Sequence, residues 1–117
     1  MSDSLQVTDQ AAAAVAKAPR VSLVDIEAAI GEIHYANARD VAELDGSRAS
    51  EHLATLTVCL VTMRNGFTVI GKSAPASPEN FDAALGRKFA YEDAVRQLWP
   101  LMGFALRDKL AGGSVGF

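Results

Sequence analysis

Two groups of side chains in the second half of the chain have the chemistry to hold a small anion. Gly71-Lys72-Ser73 runs toward a helix start written as Ser77-Pro78-Glu79-Asn80. Amide groups in the first turn of a helix have no partner within the helix, and beside an ammonium and a hydroxyl they can bind a phosphate oxygen. The spacing is not that of a P-loop, which needs longer glycine-bearing backbone before its Lys and Ser or Thr. Arg87 follows Gly86, and Tyr91 lies four residues later on the same helical side. A guanidinium beside an aromatic ring can hold a phosphate while the ring stacks on a base. Asn80 has the groups to read a ribose or base edge, and Arg64 and Phe67 complete the candidate ligand set. Plainer readings stand beside these. Lys72 also fits a solvated gatekeeper on an edge strand, and Ser73 a turn former. Lys88 with Glu92 and Glu92 with Arg96 fit intrahelical pairs, while Arg87 stays open between the two readings.

An active site would need a nucleophile beside a base, paired carboxylates in a pocket, or metal ligands at workable spacing. No such pattern is evident, so the chain is read as a non-enzyme with no catalytic residue, metal or cofactor assigned. His34 and His52 read as structural or incidental, since one Cys and no His-x-x-x-His pair make a poor metal set. Cys59 lies inside an apolar run and reads as a small core residue rather than a reactive thiol.

The elements that must position these groups follow from patterning. Residues 1–20, with alanines at 11–14 and the end Ala18-Pro19-Arg20, show no periodic apolar face and are expected to be a flexible arm. Ser22 followed by Asp25 forms a loose capping box, and Leu23, Ile26, Ile30 and Ile33 repeat at helical spacing, which predicts a helix from about Ser22 to Tyr35. Residues 37–51 are charged and aperiodic, and read as a surface loop. Residues 55–63 and 67–73 form two β-rich runs around Asn65-Gly66, the signature of a hairpin. With Asn65 and Gly66 as a two-residue loop, Val61 pairs with Ile70 and Thr62 with Val69, and both faces are apolar. Ser77 as N-cap with Pro78 at the first helical position opens a long helix whose core stripe is Phe81, Leu85, Phe89 and Leu98, with Trp99 also in the core. Gly86 would cost that helix roughly 1 kcal/mol against Ala, suggesting close approach of another backbone or a ligand. Pro100 is expected to end or kink it, leaving residues 101–110 as a second short segment. The fold class is therefore α+β, with a single domain over residues 21–111 and a flexible tail at 112–117.

The chain has 117 residues, half of them apolar, and a formal charge of −3. This fits one domain and argues against duplex nucleic acid, which demands a basic face. Charge is uneven: residues 1–63 carry four Lys or Arg against nine Asp or Glu, and residues 64–117 carry seven against five. The second half can still attract a small anion. No stretch approaches the roughly 18 to 20 apolar residues of a membrane span and no signal-peptide pattern opens the chain, so a soluble, unexported protein is expected. A lone Cys excludes an intrachain disulfide and suits a reducing cytoplasm. A hairpin with two apolar faces and few helices to cover them implies a homo-oligomer.

A series of short blocks, in order, resembles a known family. They are Asp25-Ile26-Glu27, His34-Tyr35, Thr57-Val58-Cys59, Asn65-Gly66-Phe67, Gly71-Lys72-Ser73-Ala74, Pro78-Glu79-Asn80-Phe81-Asp82, Gly86-Arg87-Lys88, residues 90–94, and Trp99-Pro100-Leu101 to Gly103. Over residues 21–110 they resemble the small tailed-phage proteins grouped as the N-four gene-forty-nine and Sf-six gene-sixty-six family. That family resembles in turn the core of the first Thoeris anti-defence protein, a sponge that binds a cyclic nucleotide immune signal without cleaving it. The resemblance is expected to cover only the core of the longer anti-defence proteins and not the C-terminal helical hairpin that follows it in them. The resemblance implies a phage-encoded binding protein in the host cytoplasm that sequesters a small phosphorylated nucleotide signal of a Thoeris or CBASS kind of defence. The alternative is a phage accessory protein that binds a host protein and no small ligand.

Overall fold

A computed structural model describes residues 3–112. In chain order it contains α1 (Asp3–Val15), α2 (Leu23–Ala29), β1 (Ile30–Asn37), α3 (Ala38–Ala42), β2 (Thr57–Met63), β3 (Thr68–Ser73) and α4 (Ala83–Leu110). Short 3-10 turns at Glu51–Thr55 and Pro78–Asn80 lead into β2 and α4. The strands form one antiparallel meander in the order β1-β2-β3, and α4 lies across one face of it, over β2 and β3. The fold is α+β, as the patterning predicts.

The helix expected from Ser22 stops at Ala29. Ser22 Oγ accepts from the Asp25 N–H at 3.1 Å while the Asp25 carboxylate accepts from the Ser22 N–H at 2.9 Å, a complete capping box. Beyond Ala29 the sequence alternates, with Ile33, Tyr35 and Asn37 on one side and Glu32, His34 and Ala36 on the other. That period of two makes a strand, and β2 supplies its partner. Ile30 and Ile33 match a helical repeat only by coincidence of spacing.

Residues 3–15 also depart from the expected arm. They form a helix, favoured by the alanine run, and Leu5 is 2% exposed in the core. Asp9 Oδ1 accepts from Arg20 Nη1 at 2.9 Å and from the Leu23 N–H at 3.0 Å, tying α1 to the start of α2. Arg96 Nη2 donates to Ser4 Oγ at 2.7 Å from the opposite side. Of the tail expected over residues 112–117, only Gly112 is described; the rest lies outside the described residues.

The hairpin register is one residue away from expectation. Val61 pairs with Val69 and Leu60 with Ile70. Arg64, Asn65 and Gly66 make a three-residue loop in which only Gly66 takes a positive φ, +89°. Asn65 keeps a negative φ, and its Oδ1 accepts from the Phe67 N–H at 2.9 Å. A type I turn closed by a left-handed glycine accounts for the extra residue. The shift reverses the faces of β3, so Val69 and Gly71 turn inward beside Val61 and Cys59 while Ile70 is exposed.

Gly71 decides which side of α4 is buried. The helix meets the sheet through Gly86, Ala90, Ala94, Val95 and Leu98, and small residues let backbone approach backbone. Leu85 and Phe89, expected in the core stripe, are therefore rotated outward and are 47% and 46% exposed. Trp99 does pack on the core, and its indole N–H donates to the Val21 carbonyl at 2.9 Å. Ile26, Val61, Val95 and Leu98 are almost wholly buried, each contributing about 1.5 to 3 kcal/mol. Pro100 does not end the helix, because α4 continues through it to Leu110.

Candidate ligand site

Where β1 runs into α3, opposite the first turns of α4, a cleft of about 250 Å³ is lined by Tyr35, Asn37, Asp40, Thr57, Phe81 and Arg87 among others. Asn37 shapes its floor. Its Oδ1 accepts from the Arg39 N–H at 3.0 Å, capping α3, and its Nδ2 donates to the Ala54 carbonyl at 2.6 Å. Across the cleft, Asp82 caps α4 by accepting from the Leu85 N–H at 3.0 Å, which sets Arg87 just past the first turn. Gly86 makes the close seat possible, since a methyl group there would come within 2.5 Å of Thr57 Oγ1. The close neighbour is a side chain of β2 rather than a backbone.

The chemistry of the cleft is mixed. Arg87 is exposed and has no ion pair among the described residues. Burial raises the Tyr35 phenol above its usual range, the nearby Cys59 thiol adds to this, and the Arg87 charge pulls the other way. Tyr35 thus stays a protonated donor at neutral pH. Asp40 offers an acceptor and Phe81 a ring face. Beneath them Cys59 is fully buried, and burial pushes its thiol up to about 11. It is a core residue, as its place in the apolar run suggests.

The seven ligand candidates read from sequence do not converge on one pocket. Arg87 lines the cleft just described. Ser73 and Asn80 line an adjoining cleft of about 190 Å³ that shares the Phe81 wall. Arg64 and Phe67 line a third, of about 450 Å³, at the hairpin end of the sheet with Leu101 and Met102. Lys72 belongs to the outer face of the sheet, and its N–H donates to Asp93 Oδ2 at 2.9 Å. Tyr91 is half-buried, and its hydroxyl donates to Glu27 Oε2 at 3.3 Å. Burial chiefly, with the Glu27 charge, raises that phenol too.

The expected anion site at a helix start near Ser77 is also altered. Ser77 heads only the turn Pro78–Asn80 and makes no side-chain cap, while α4 begins at Ala83 under the negative Asp82. A carboxylate already occupies the position a phosphate would take. Of the expected helix pairs, Glu92 and Arg96 approach at 3.9 Å, whereas Lys88 lies 3.8 Å from Asp3. His34 is exposed beside Glu32 at 2.9 Å.

Tyr35, Phe81 and Asp40 were not among the sequence candidates. A signal existed for two of them, since Tyr35 and Phe81 fall inside the blocks that carry the family resemblance. Asp40 lies in what read as an aperiodic loop and is organised only by the Asn37 cap. Among the described residues no group of three or more His, Cys, Asp or Glu is placed to hold a metal ion, and no helix is long and apolar enough to cross a membrane.

Residues 21–110 match the family described as phage protein (N4 Gp49/phage Sf6 gene 66). No curated protein and no solved structure matches the chain.

Proposed function

The chain belongs to this phage protein family, and on that premise we propose that it is a non-enzymatic binding protein that sequesters a small phosphorylated nucleotide signal of host defence in the host cytoplasm. The observation that carries the reading is the Arg87 guanidinium, exposed and without an ion pair among the described residues, at a cleft walled by Phe81 and Tyr35. Arg87 would take a phosphate in charge-assisted hydrogen bonds, and Phe81 would offer a face for a base. Tyr35 would donate to a phosphate or carbonyl oxygen, and Asp40 would accept from a ribose hydroxyl or an exocyclic amine. These groups hold and orient; none is a nucleophile activated by a neighbouring base. Ser73 and Asn80 line the cleft beyond the shared Phe81 wall, and in this reading they would meet the far end of a ligand larger than a mononucleotide.

Calorimetry against cyclic dinucleotides, cyclic trinucleotides and cyclic ADP-ribose isomers tests the proposal. At least one should bind and be recovered unchanged, and Arg87→Ala should weaken it at least about tenfold, the loss of one charge-assisted contact. Absence of binding across the panel, or an affinity indifferent to Arg87→Ala, rejects this site.

The second reading, a docking protein for a host polypeptide, draws on the larger apolar cleft at the hairpin end, where Phe67 and Leu101 are half-exposed beside Arg64. Native mass spectrometry of the protein purified from a host with an active defence system separates the two. A retained mass of nucleotide size supports the first, and a retained host polypeptide supports the second.

A further inference from the structure

The two edges of the sheet differ. In an antiparallel ladder, alternate residues turn their N–H and C=O toward one neighbouring strand or the other. The Met63 N–H donates to the Phe67 carbonyl at 2.7 Å, and the Ala38 N–H donates to the Leu56 carbonyl at 2.9 Å. Odd-numbered residues of β2 therefore bond β3, and even-numbered ones bond β1. On β3 the outward groups belong to Thr68, Ile70 and Lys72, and α4 takes one group from Ile70 and one from Lys72. Gln97 Nε2 donates to the Ile70 carbonyl at 2.7 Å, and Asp93 Oδ2 accepts from the Lys72 N–H. On β1 the outward groups belong to Ile33 and Tyr35. No hydrogen bond reaches them among the described residues, and every residue from Gly31 to Tyr35 is exposed.

We propose that β1 of a second copy pairs with this edge, antiparallel about a twofold axis through Ile33, to make one six-stranded sheet across two chains. The register follows from charge. Centred on Ile33, each Glu32 lies opposite the second copy's His34, and each Ile33 exchanges N–H and C=O with the second copy's Ile33. Centred one residue earlier, Glu32 would face Glu32; one residue later, His34 would face His34. Both alternatives oppose like groups across the strands, which is unfavourable for the carboxylates in particular. The inner face agrees, because α4 covers β2 and β3 but leaves Ile33 and Tyr35 36% and 41% exposed at this edge. Pairing sets the two Ile33 side chains side by side and shields them. The irregularity between Ile30 and Glu32 limits the paired length at one end, and the start of α3 limits it at the other.

This inference does not depend on the ligand reading, and its test uses no ligand. Sedimentation of the full chain at about 50 µM should show an assembly, and Ile33→Lys should halve its mass with an unchanged circular dichroism spectrum. Ile33→Cys should cross-link to itself on mild oxidation, while Ile70→Cys, on the edge that α4 covers, should not. Glu32→Lys should weaken association at least about fivefold, and adding His34→Glu should restore it, because two cross-strand pairs change together. A monomeric wild-type chain overturns the proposal. So does an assembly that neither Ile33→Lys nor Glu32→Lys weakens and that Ile33→Cys does not cross-link.

Discussion

Gly71 of β3 sits so close to Ala90 of α4 that a methyl group on it would overlap the Ala90 carbonyl oxygen and lie 2.7 Å from the Ala94 amide nitrogen. Both obstacles are helix backbone, which cannot swing aside as a side chain can. Gly71→Ala should therefore force the helix off the sheet and destabilise the chain by at least about 1 to 3 kcal/mol, the usual range for overpacking. Gly103 is the control. It lies in the same helix with open space where its Cβ would go, so Gly103→Ala should stabilise by about 0.5 to 1 kcal/mol through helix propensity alone. Urea unfolding of the two variants should move the midpoint in opposite directions.

Leu5 carries the contribution of α1 to the core. Leu5→Ala should destabilise by about 2 to 5 kcal/mol if the site cannot collapse, and deletion of residues 1–18 should do at least as much. For a domain of this size, each kcal/mol lowers the melting temperature by roughly 4 to 8 °C. Thermal unfolding reads both. A truncated chain that melts within about 2 °C of the full one would show that α1 adds nothing.

These two positions mark where the sequence was and was not legible. The hairpin, the Ser22–Asp25 cap and the buried Cys59 followed from local chemistry, because turn residues, caps and apolar runs act over a few residues. The inward face of β3 did not. It depends on whether the loop takes two residues or three, and Asn65 can serve either geometry. The burial of Leu5 was hidden because one apolar side chain among alanines makes no stripe, and the core it joins is built from residues 23–98. The candidate ligand site was legible only in part. Arg87 was visible as a cation beside a glycine, whereas its neighbours Tyr35 and Asp40 reach it only through the register of β1 and the cap on α3.

Alkaline pH should loosen the fold. The Cys59 thiol titrates near 9 in an unfolded chain and at about 11 when folded, and the Tyr91 phenol is raised in the same direction by burial and by Glu27. The unfolded state releases these protons first. Stability is complete below about pH 9 and falls as pH rises toward 11. Urea midpoints between pH 8 and 11 should decline, and Cys59→Ala should flatten part of that decline. Alkylation of Cys59 under native conditions at pH 8 should be slow and should accelerate on unfolding.

Acid should act at the other end of the chain. Asp9 is held below its ordinary 3.8 chiefly by the Leu23 N–H and then by Arg20, and Asp25 likewise by the Ser22 N–H. Both carboxylates bind fewer protons folded than unfolded, so their contribution is present above about pH 4 and is lost as pH falls below it. Asp9→Asn should reduce stability at pH 6 and shrink the difference between pH 6 and pH 3. Equal losses at both pH values would show that the Asp9 charge contributes nothing.

Pro100 gives α4 an uneven kinetic character. Without an N–H it cannot bond the Arg96 carbonyl, so the helix is joined there by one backbone hydrogen bond fewer. The ten residues after it are shorter than the roughly 12 to 15 that a free helix needs in water, and Leu101, Phe104 and Leu110 are half-exposed. The first half is locked to the sheet through Ala90 and Ala94. Amide protons before Pro100 should therefore exchange with solvent only in global opening, while those after it exchange through a separate, lower-energy opening that leaves the sheet intact. One continuous helix would then behave as two cooperative units, and the end beside the hairpin cleft could reshape without unfolding the rest.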